Sequence, residues 1–274
     1  MLLQRGYKKD AVQVFQFGKK VIGQPKMTTH IYFVDGLLID TGQSRLRKQI
    51  LNTTSSLDIK KIFITHHHED HSGNISEIRN QQNCKVYTNS KCAALMQNLP
   101  KLSFVQKITW GNRPSFEAFV IEDNCIRTDN YNFQIIPIPG HASDMVALYE
   151  ANEKWLFSAD LYLHHYISYF IDNESMAQQI ASLKKILALD FKFMFGGHNP
   201  QYDKPKEKLK QKLEFLEDFH FTVSDFYQRG LSANEIFKAM KLKENLLIKI
   251  ASGEKLSKLN MVKSVIRDIK FQNR

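Results

Sequence analysis

Apolar residues fall along the chain in two rhythms. Val12-Gln13-Val14-Phe15-Gln16-Phe17 alternates with the period of a half-buried strand, and Gly18 and Gly23-Gln24-Pro25 read as turns. Thr29-His30-Ile31-Tyr32-Phe33-Val34 and Leu37-Leu38-Ile39 pair as a hairpin across Asp35-Gly36, a dipeptide suited to a two-residue turn. Short apolar runs read as further strands at residues 59–64, 85–87, 116–121, 133–138, 145–149, 154–157 and 191–195. Helices are expected over 43–52, over 72–81 with Ser72 or Asn74 as cap, and over 174–190 with Ile180, Leu183 and Leu187 as its stripe. Residues 100–114, with Phe104 and Trp110, read as a loop. The last seventy residues change rhythm. Leu209, Leu213 and Leu216 make a helical stripe, Gly230 stops it, and Ser232 with Glu235 forms a capping box flanked by a Leu231–Ile236 staple. A last helix over 257–270 carries Leu259, Val262, Ile266 and Ile269 on one face. The pattern is α/β, with a helical C-terminal portion and no internal repeat or low-complexity linker.

One stretch stands apart from this patterning. The buried-strand run 59–64 leads into Thr65-His66-His67-His68-Glu69-Asp70-His71-Ser72. Residues two apart on extended chain point the same way, so His66 and His68 can converge on one point. Asp70 and His71 follow as the chain turns toward a helix and can serve a second point nearby. Imidazoles packed this closely repel when protonated and are costly when unpaired. A borderline cation such as zinc relieves both, because it prefers neutral imidazole nitrogen and carboxylate oxygen. A solvated polar loop would need neither the preceding strand nor an aspartate in this position.

His66-x-His68-x-Asp70-His71 after an apolar strand resembles the signature of the metallo-β-lactamase superfamily, whose fold is an αββα sandwich with one or two metals at one edge. Four more elements with matching residues occur in order around it between residues 12 and 200. They are Asp40-Thr41-Gly42 after the hairpin, Pro139-Gly140-His141, Ser158-Ala159-Asp160 (alanine where glycine is commoner) and Gly197-His198. The resemblance implies His66, His68 and His141 on one metal, Asp70, His71 and His198 on a second, and Asp160 bridging. By the same analogy Asp40 supports a ligand from below, although shaping the turn is the other role open to it. Segments like 100–114 border the active-site mouth in this family, which would bring Trp110 to the pocket; plain packing is its alternative. The loop 161–171, with Tyr162, His164, His165, Tyr166 and Tyr169, has the same two readings. Ala142-Ser143-Asp144-Met145 follows His141 where glyoxalase II enzymes usually carry another histidine, which argues against that assignment. The implied division is a catalytic domain at 1–203 and a helical, winged-helix-like appendage at 204–274, similar to the tails of lactamase-β-like hydrolases.

The function this implies is a dinuclear zinc hydrolase. In it a metal-bridging hydroxide attacks an ester, thioester or lactone carbonyl of a small molecule, with Asp70 and Asp160 as catalytic groups. A metal-dependent phosphodiesterase or ribonuclease is one alternative. A persulfide dioxygenase with a single Fe2+ at the His66, His68 and His141 type of site is another. Flavodiiron proteins usually have Glu where His68 stands, and require a flavin domain. A non-enzymatic nucleic-acid-binding role is disfavoured because no ligand is missing. Charge adds one qualification. Residues 1–203 carry 22 basic and 19 acidic groups, whereas residues 204–274 carry 16 and 9. That tail either attracts an acidic partner such as nucleic acid or keeps a helical surface soluble. Cys84, Cys92 and Cys125 are odd in number and lack Cys-x-x-Cys spacing, so they read as reduced thiols. With no apolar run near the roughly 18 residues that cross a bilayer, and no signal-like start, a cytoplasmic protein without membrane attachment is expected.

Overall fold

In the computed structural model, which describes residues 2–20, 25–252 and 255–272, two β-sheets pack face to face with helices outside. The first sheet has seven strands in chain order: β1 (Leu2–Lys9), β2 (Val12–Lys20), β3 (Pro25–Val34), β4 (Leu37–Ile39), β5 (Lys61–Phe63), β6 (Lys85–Thr88) and β7 (Phe119–Val120). Its first four strands form an antiparallel meander and the rest run parallel. The second sheet has five strands. They are β8 (Cys125–Arg127), β9 (Asn132–Pro137), β10 (Val146–Glu150), β11 (Trp155–Ala159) and β13 (Phe193–Gly196), in the order β13-β11-β10-β9-β8. A pair of two-residue strands, β12 (Phe170–Ile171) and β14 (Leu256–Ser257), stands apart.

Side-chain alternation explains the layering. In β3 and β4, Tyr32, Val34, Leu37 and Ile39 face the second sheet, where they meet Phe133, Leu148, Trp155, Phe157 and Phe195. Their neighbours Ile31, Phe33 and Leu38 face outward onto α1 (Arg47–Thr54), α3 (Ile75–Gln82) and α4 (Ser90–Gln97). In β10 and β11, Ala147, Tyr149 and Leu156 face the other way, onto α6 (Met176–Leu187) and α7 (Pro205–Gln228). With both faces covered, these strands are apolar throughout, which is why they read as continuous runs. The same outer core takes in Ile236 of α8 (Ala233–Ala239) and Met261, Val262 and Val265 of α10 (Lys258–Gln272). The C-terminal helices are thus present and share a core with α6 and the second sheet. Among the described residues of this region the one short strand, β14, pairs with β12 and not with a wing of its own.

Several local expectations hold. Asp35 and Gly36 both have positive φ, 49° and 78°, the requirement of the two-residue turn between β3 and β4. Ser232 and Glu235 form the expected reciprocal cap, and Gly230 has φ 88° at the end of α7. Others need correction. The helix expected over 72–81 is two pieces, α2 (Glu69–Ser72) and α3. The chain breaks between them because Gly73 N–H donates to Gly42 O and the Asn74 amide donates to Thr41 O and Gly42 O, tying the segment to the turn after β4. Neither Ser72 nor Asn74 caps α3 with its side chain; the Ser72 hydroxyl donates back to His67 O and His68 O. The expected loop at 100–114 contains α5 (Phe104–Thr109), started by a Ser103–Gln106 capping box. The turn read at Gly23-Gln24 lies outside the described residues. Helix α9 (Leu246–Ala251) completes the set. No helix among the described residues is long and apolar enough to cross a membrane.

Candidate metal centre

The motif residues come together where strands end. His66 and His68 follow β5, His141 lies between β9 and β10, Asp160 follows β11 directly, and His198 lies two residues beyond β13. Two groups result, His66 with His68 and His141, and Asp70 with His71, Asp160 and His198. Within each group, one nitrogen or oxygen per residue lies within 4.8 Å of all the others. His67, between two of these residues, points away. Its backbone N–H donates to Asp144 Oδ2 at 2.8 Å, and its Nδ1 lies 2.9 Å from Asp144 Oδ1. This is the work of Asp144, in the segment that replaces the glyoxalase-like histidine.

Hydrogen bonds around the groups set which ring nitrogen carries the proton. The Thr65 hydroxyl donates to Asp40, so its oxygen accepts from His66 Nδ1 at 3.1 Å. His71 Nδ1 donates to Asp40 Oδ2 at 2.7 Å, His141 Nδ1 to Glu174 Oε1 at 3.0 Å, and His198 Nδ1 to Thr28 O at 2.7 Å. In its neutral form each of these four rings keeps its Nε2 lone pair available to a cation. His68 Nδ1 lies 3.1 Å from both His66 Nε2 and His141 Nε2, which brings three imidazole nitrogens to one point. His198 Nε2 lies 3.1 Å from Asp70 Oδ2 and 3.1 Å from Asp160 Oδ2. Asp160 Oδ2 also comes within 3.5 Å of His141 Nε2, so this carboxylate faces both groups.

The donor set fits metal ions. His71 Nε2 and Asp160 Oδ1 are 3.2 Å apart, buried, and without a hydrogen-bond partner. A buried lone pair with no donor is costly unless a cation meets it. Burial, reinforced by the neighbouring imidazoles, pushes His66 and His68 well below the ordinary histidine range, so both are neutral imidazoles at neutral pH. Burial also lowers His71 and His198, but the Asp160 carboxylate outweighs it, with Asp40 and Asp70 helping at His71 and Asp70 at His198. Both end well above the ordinary range. Protons thus compete with metal at this second group. Backbone geometry is adapted to the same crowding. A Cβ on Gly197 would sit 2.4 Å from Asp160 Oδ1 and 2.6 Å from His71 Cε1, so only glycine fits before His198. Ala159, where glycine is the commoner residue, takes φ 44° to present Asp160.

A cavity of about 310 Å³ opens over the centre, with His68, Asp70, His141, Asp160 and His198 in its lining. Trp110 lines it, its ring 5.9 Å from that of His198. Trp110 is held there because its carbonyl accepts from Arg45 N–H at 3.1 Å, and Arg113 nearby reaches Glu69 at 3.5 Å. Of the aromatic loop, Tyr169 lines the cavity. His164 and His165 are exposed and pack on each other at 4.0 Å, Tyr166 packs on Phe215, and Tyr162 is buried in the outer core.

Glu174 is a residue that motif reading misses. It precedes the Ser175 cap of α6 and carries no local signature. Its partner His141 is 33 positions away, so only the fold pairs them. Gln179 Nε2 donates to Glu174 Oε2 at 2.8 Å, and Ser264 and Arg267 of α10 donate to the Glu174 carbonyl. The C-terminal helix therefore steadies the residue that steadies His141. Lys212 is the other omission. The inner stripe of α7 is Leu209, Lys212, Leu216, Phe219 and Val223, whereas Leu213 is only partly buried.

Comparison with known proteins agrees with this geometry. The chain is 26% identical over 248 residues to the beta-lactamase-like protein 2 homolog of Caenorhabditis elegans, an overlap covering 85% of this chain and 74% of that one. It is 22% identical over 182 residues to the atrochrysone carboxyl ACP thioesterase of Aspergillus fumigatus, covering 65% of this chain and about half (51%) of the relative. A metallo-beta-lactamase from Pontibacter korlensis superposes with a TM-score of 0.63 at 19% identity, over 80% of this chain and all (100%) of the other, a likeness of fold. The family model for the metallo-beta-lactamase superfamily matches residues 27–198, a span running from β3 to the last histidine of the centre, and the chain belongs to that superfamily.

Proposed function

We propose that the protein is a metal-dependent hydrolase that uses two zinc ions to cleave an ester, thioester or lactone carbonyl of a small molecule. The observation carrying this reading is the Asp160 carboxylate, which faces both ligand groups at the floor of an otherwise largely apolar cavity. His66, His68 and His141 would hold one ion, Asp70, His71 and His198 the other, with Asp160 shared. When bound, the ions supply Lewis acidity and a water of lowered pKa. The chain's own residues do the rest. Asp40, Glu174, Thr65 and the Thr28 carbonyl hold the imidazoles in orientation. Asp70, which lines the cavity, is placed to take a proton from the attacking water at its carboxylate. Trp110 and the apolar walls exclude bulk water, which strengthens every charge interaction inside. The thioesterase named among the relatives supports carbonyl chemistry over phosphoryl transfer.

The test is metal content by mass spectrometry on untagged protein purified without chelators, followed by thioester, lactone and phosphodiester panels. About two zinc ions per chain with carbonyl hydrolysis is the expected result. A single iron with oxygen consumption would replace this reading with the dioxygenase one, and phosphodiester turnover with the nuclease one. His68→Ala and Asp160→Ala should each abolish turnover while the circular dichroism spectrum is retained. Retained turnover would sink the proposal.

A further inference from the structure

Lys212 stands where the buried face of a helix ordinarily carries an apolar residue. It occupies the buried stripe of α7 between Leu209 and Leu216, both 0% exposed, and is itself only 3% exposed. A lysine is rarely buried without a partner charge, and an apolar residue at such a position is commonly neutral or stabilising. No carboxylate lies within ion-pairing distance of Lys212 among the described residues. Its ammonium makes one hydrogen bond, Nζ to the Leu161 carbonyl at 2.7 Å. An ammonium has three N–H donors, so two remain for whatever enters the cavity that Lys212 lines. Burial pulls its pKa down to about 8 against the upward pull of Glu174 and Asp160, which leaves it mostly cationic at neutral pH.

Much of the remaining lining is of another character, although Lys255, Glu69 and Glu174 also reach it. Trp110, Leu163, Ile167, Tyr169, Phe170 and Leu256 form its walls, so an entering group is surrounded by carbon and aromatic surface on several sides. The elements around the cavity also carry exposed apolar residues. Helix α5, from which Gln106 and Thr109 reach the lining, exposes Phe104 and Ile108; α9, which ends one residue before the lining Ser252, exposes Leu246 and Ile250. A largely apolar chamber holding two lysines, the buried Lys212 and the half-buried Lys255, close to a candidate hydrolytic centre selects a particular ligand chemistry. A phosphodiester chain, polar along its whole length, would find two lysines at most and lose hydration against the walls. A neutral acyl group would fill the walls and leave the ammonium unsatisfied.

We propose that the cavity receives an apolar acyl group that carries its own carboxylate, and that Lys212 binds this carboxylate and so selects the substrate. This rests on the hydrolase reading above for the bond that is cut, but not for the binding. Lys212 is then a specificity-determining residue, and the apolar walls contribute affinity without discriminating charge.

The experiment uses the metal-loaded protein and N-acetylcysteamine thioesters matched in chain length: succinyl, adipoyl and suberoyl against butanoyl, hexanoyl and octanoyl. The best carboxylate-bearing thioester should exceed its matched neutral one in kcat/KM by about 10- to 100-fold, the worth of one charge-assisted hydrogen bond. In Lys212→Met this ratio should fall to near one, mainly through a higher KM, and Lys212→Arg should retain most of it. Methionine suits the apolar stripe, so this variant is expected to fold, and Arg provides a second check should it not. If Lys212→Met slows both members of each pair equally, the lysine only anchors the Leu161 carbonyl and the proposal is overturned. No preference for a carboxylate in the unaltered protein overturns it as well, while leaving the hydrolase reading intact. Calorimetric binding of the corresponding non-hydrolysed amides separates the two. Lys212-dependent binding of the carboxylate-bearing amides without turnover of any thioester would sustain the carboxylate site and refute the hydrolase.

Discussion

At the scale of single residues, this centre depends on partners that are not ligands. Glu174 fixes the tautomer of His141 through a 3.0 Å hydrogen bond. Losing such a support commonly lowers metal affinity about 10- to 100-fold. Glu174→Ala should therefore retain less metal after dialysis against a weak chelator, and Glu174→Gln, which keeps an acceptor oxygen, should retain more of it. Lys212 gives a prediction in pH. Its folded pKa of about 8 lies below the 10.5 of an unperturbed lysine. Between those values the unfolded chain binds more protons than the folded one, so stability rises with pH across that window. Below about pH 8 the folded state carries the whole penalty, about 3 kcal/mol for a shift of this size. Lys212→Met should accordingly unfold at a higher temperature than the unaltered protein at pH 7, with the gap shrinking toward pH 10. A gap independent of pH would show that the lysine is not desolvated.

At the scale of elements, turns and caps set the geometry. Gly36 holds φ 78° between β3 and β4, and Asp40, the partner of His71, lies just beyond the hairpin. Gly36→Ala should cost about 1 kcal/mol in denaturant unfolding because a Cβ is disfavoured at positive φ. Helix α6 starts under the control of α10. Asp268 accepts from the Ser175 hydroxyl and the Ala177 N–H, and Ser264 accepts from the Met176 N–H while donating to the Glu174 carbonyl. Asp268→Ala should lower stability by about 1 kcal/mol, as for loss of an N-cap. It should also weaken metal retention, because Glu174 sits immediately before this cap. An effect on stability alone would show that the centre is insulated from α10.

At the scale of the whole molecule, the 204–274 segment shares one apolar core with α6 and the second sheet, and contributes Lys212, Ser252, Lys255 and Leu256 to the cavity. A chain ending at residue 203 would uncover Leu156, Met194, Leu183 and Ile186 on that face. We expect it to bind a hydrophobic dye and to aggregate, measured by fluorescence and light scattering. A monomeric, cooperatively folding product would instead make 1–203 a self-sufficient domain. A bound ion would add stability of its own. Buried atoms such as His71 Nε2 and Asp160 Oδ1 lack other partners, so chelation should lower the melting temperature and readdition of the metal should restore it.

Read alone, the sequence determined the family, the layered fold and which seven histidine and aspartate residues the fold gathers into two groups. Strands buried on both faces are written as apolar runs, and ligands at strand ends are written as short motifs, both local in the chain. The Asp35-Gly36 turn and the Ser232–Glu235 cap were legible for the same reason, since their atoms are neighbours in sequence. Tertiary structure alone decided what depends on distant residues meeting. The break between α2 and α3 is imposed by Thr41 and Gly42. Glu174 becomes a support for His141 because α10 and α6 position it, and Lys212 faces a cavity because the whole stripe of α7 is turned inward. Such pairings leave no spacing in the chain, because the hydrogen bonds and burial that define them form only when the layers pack.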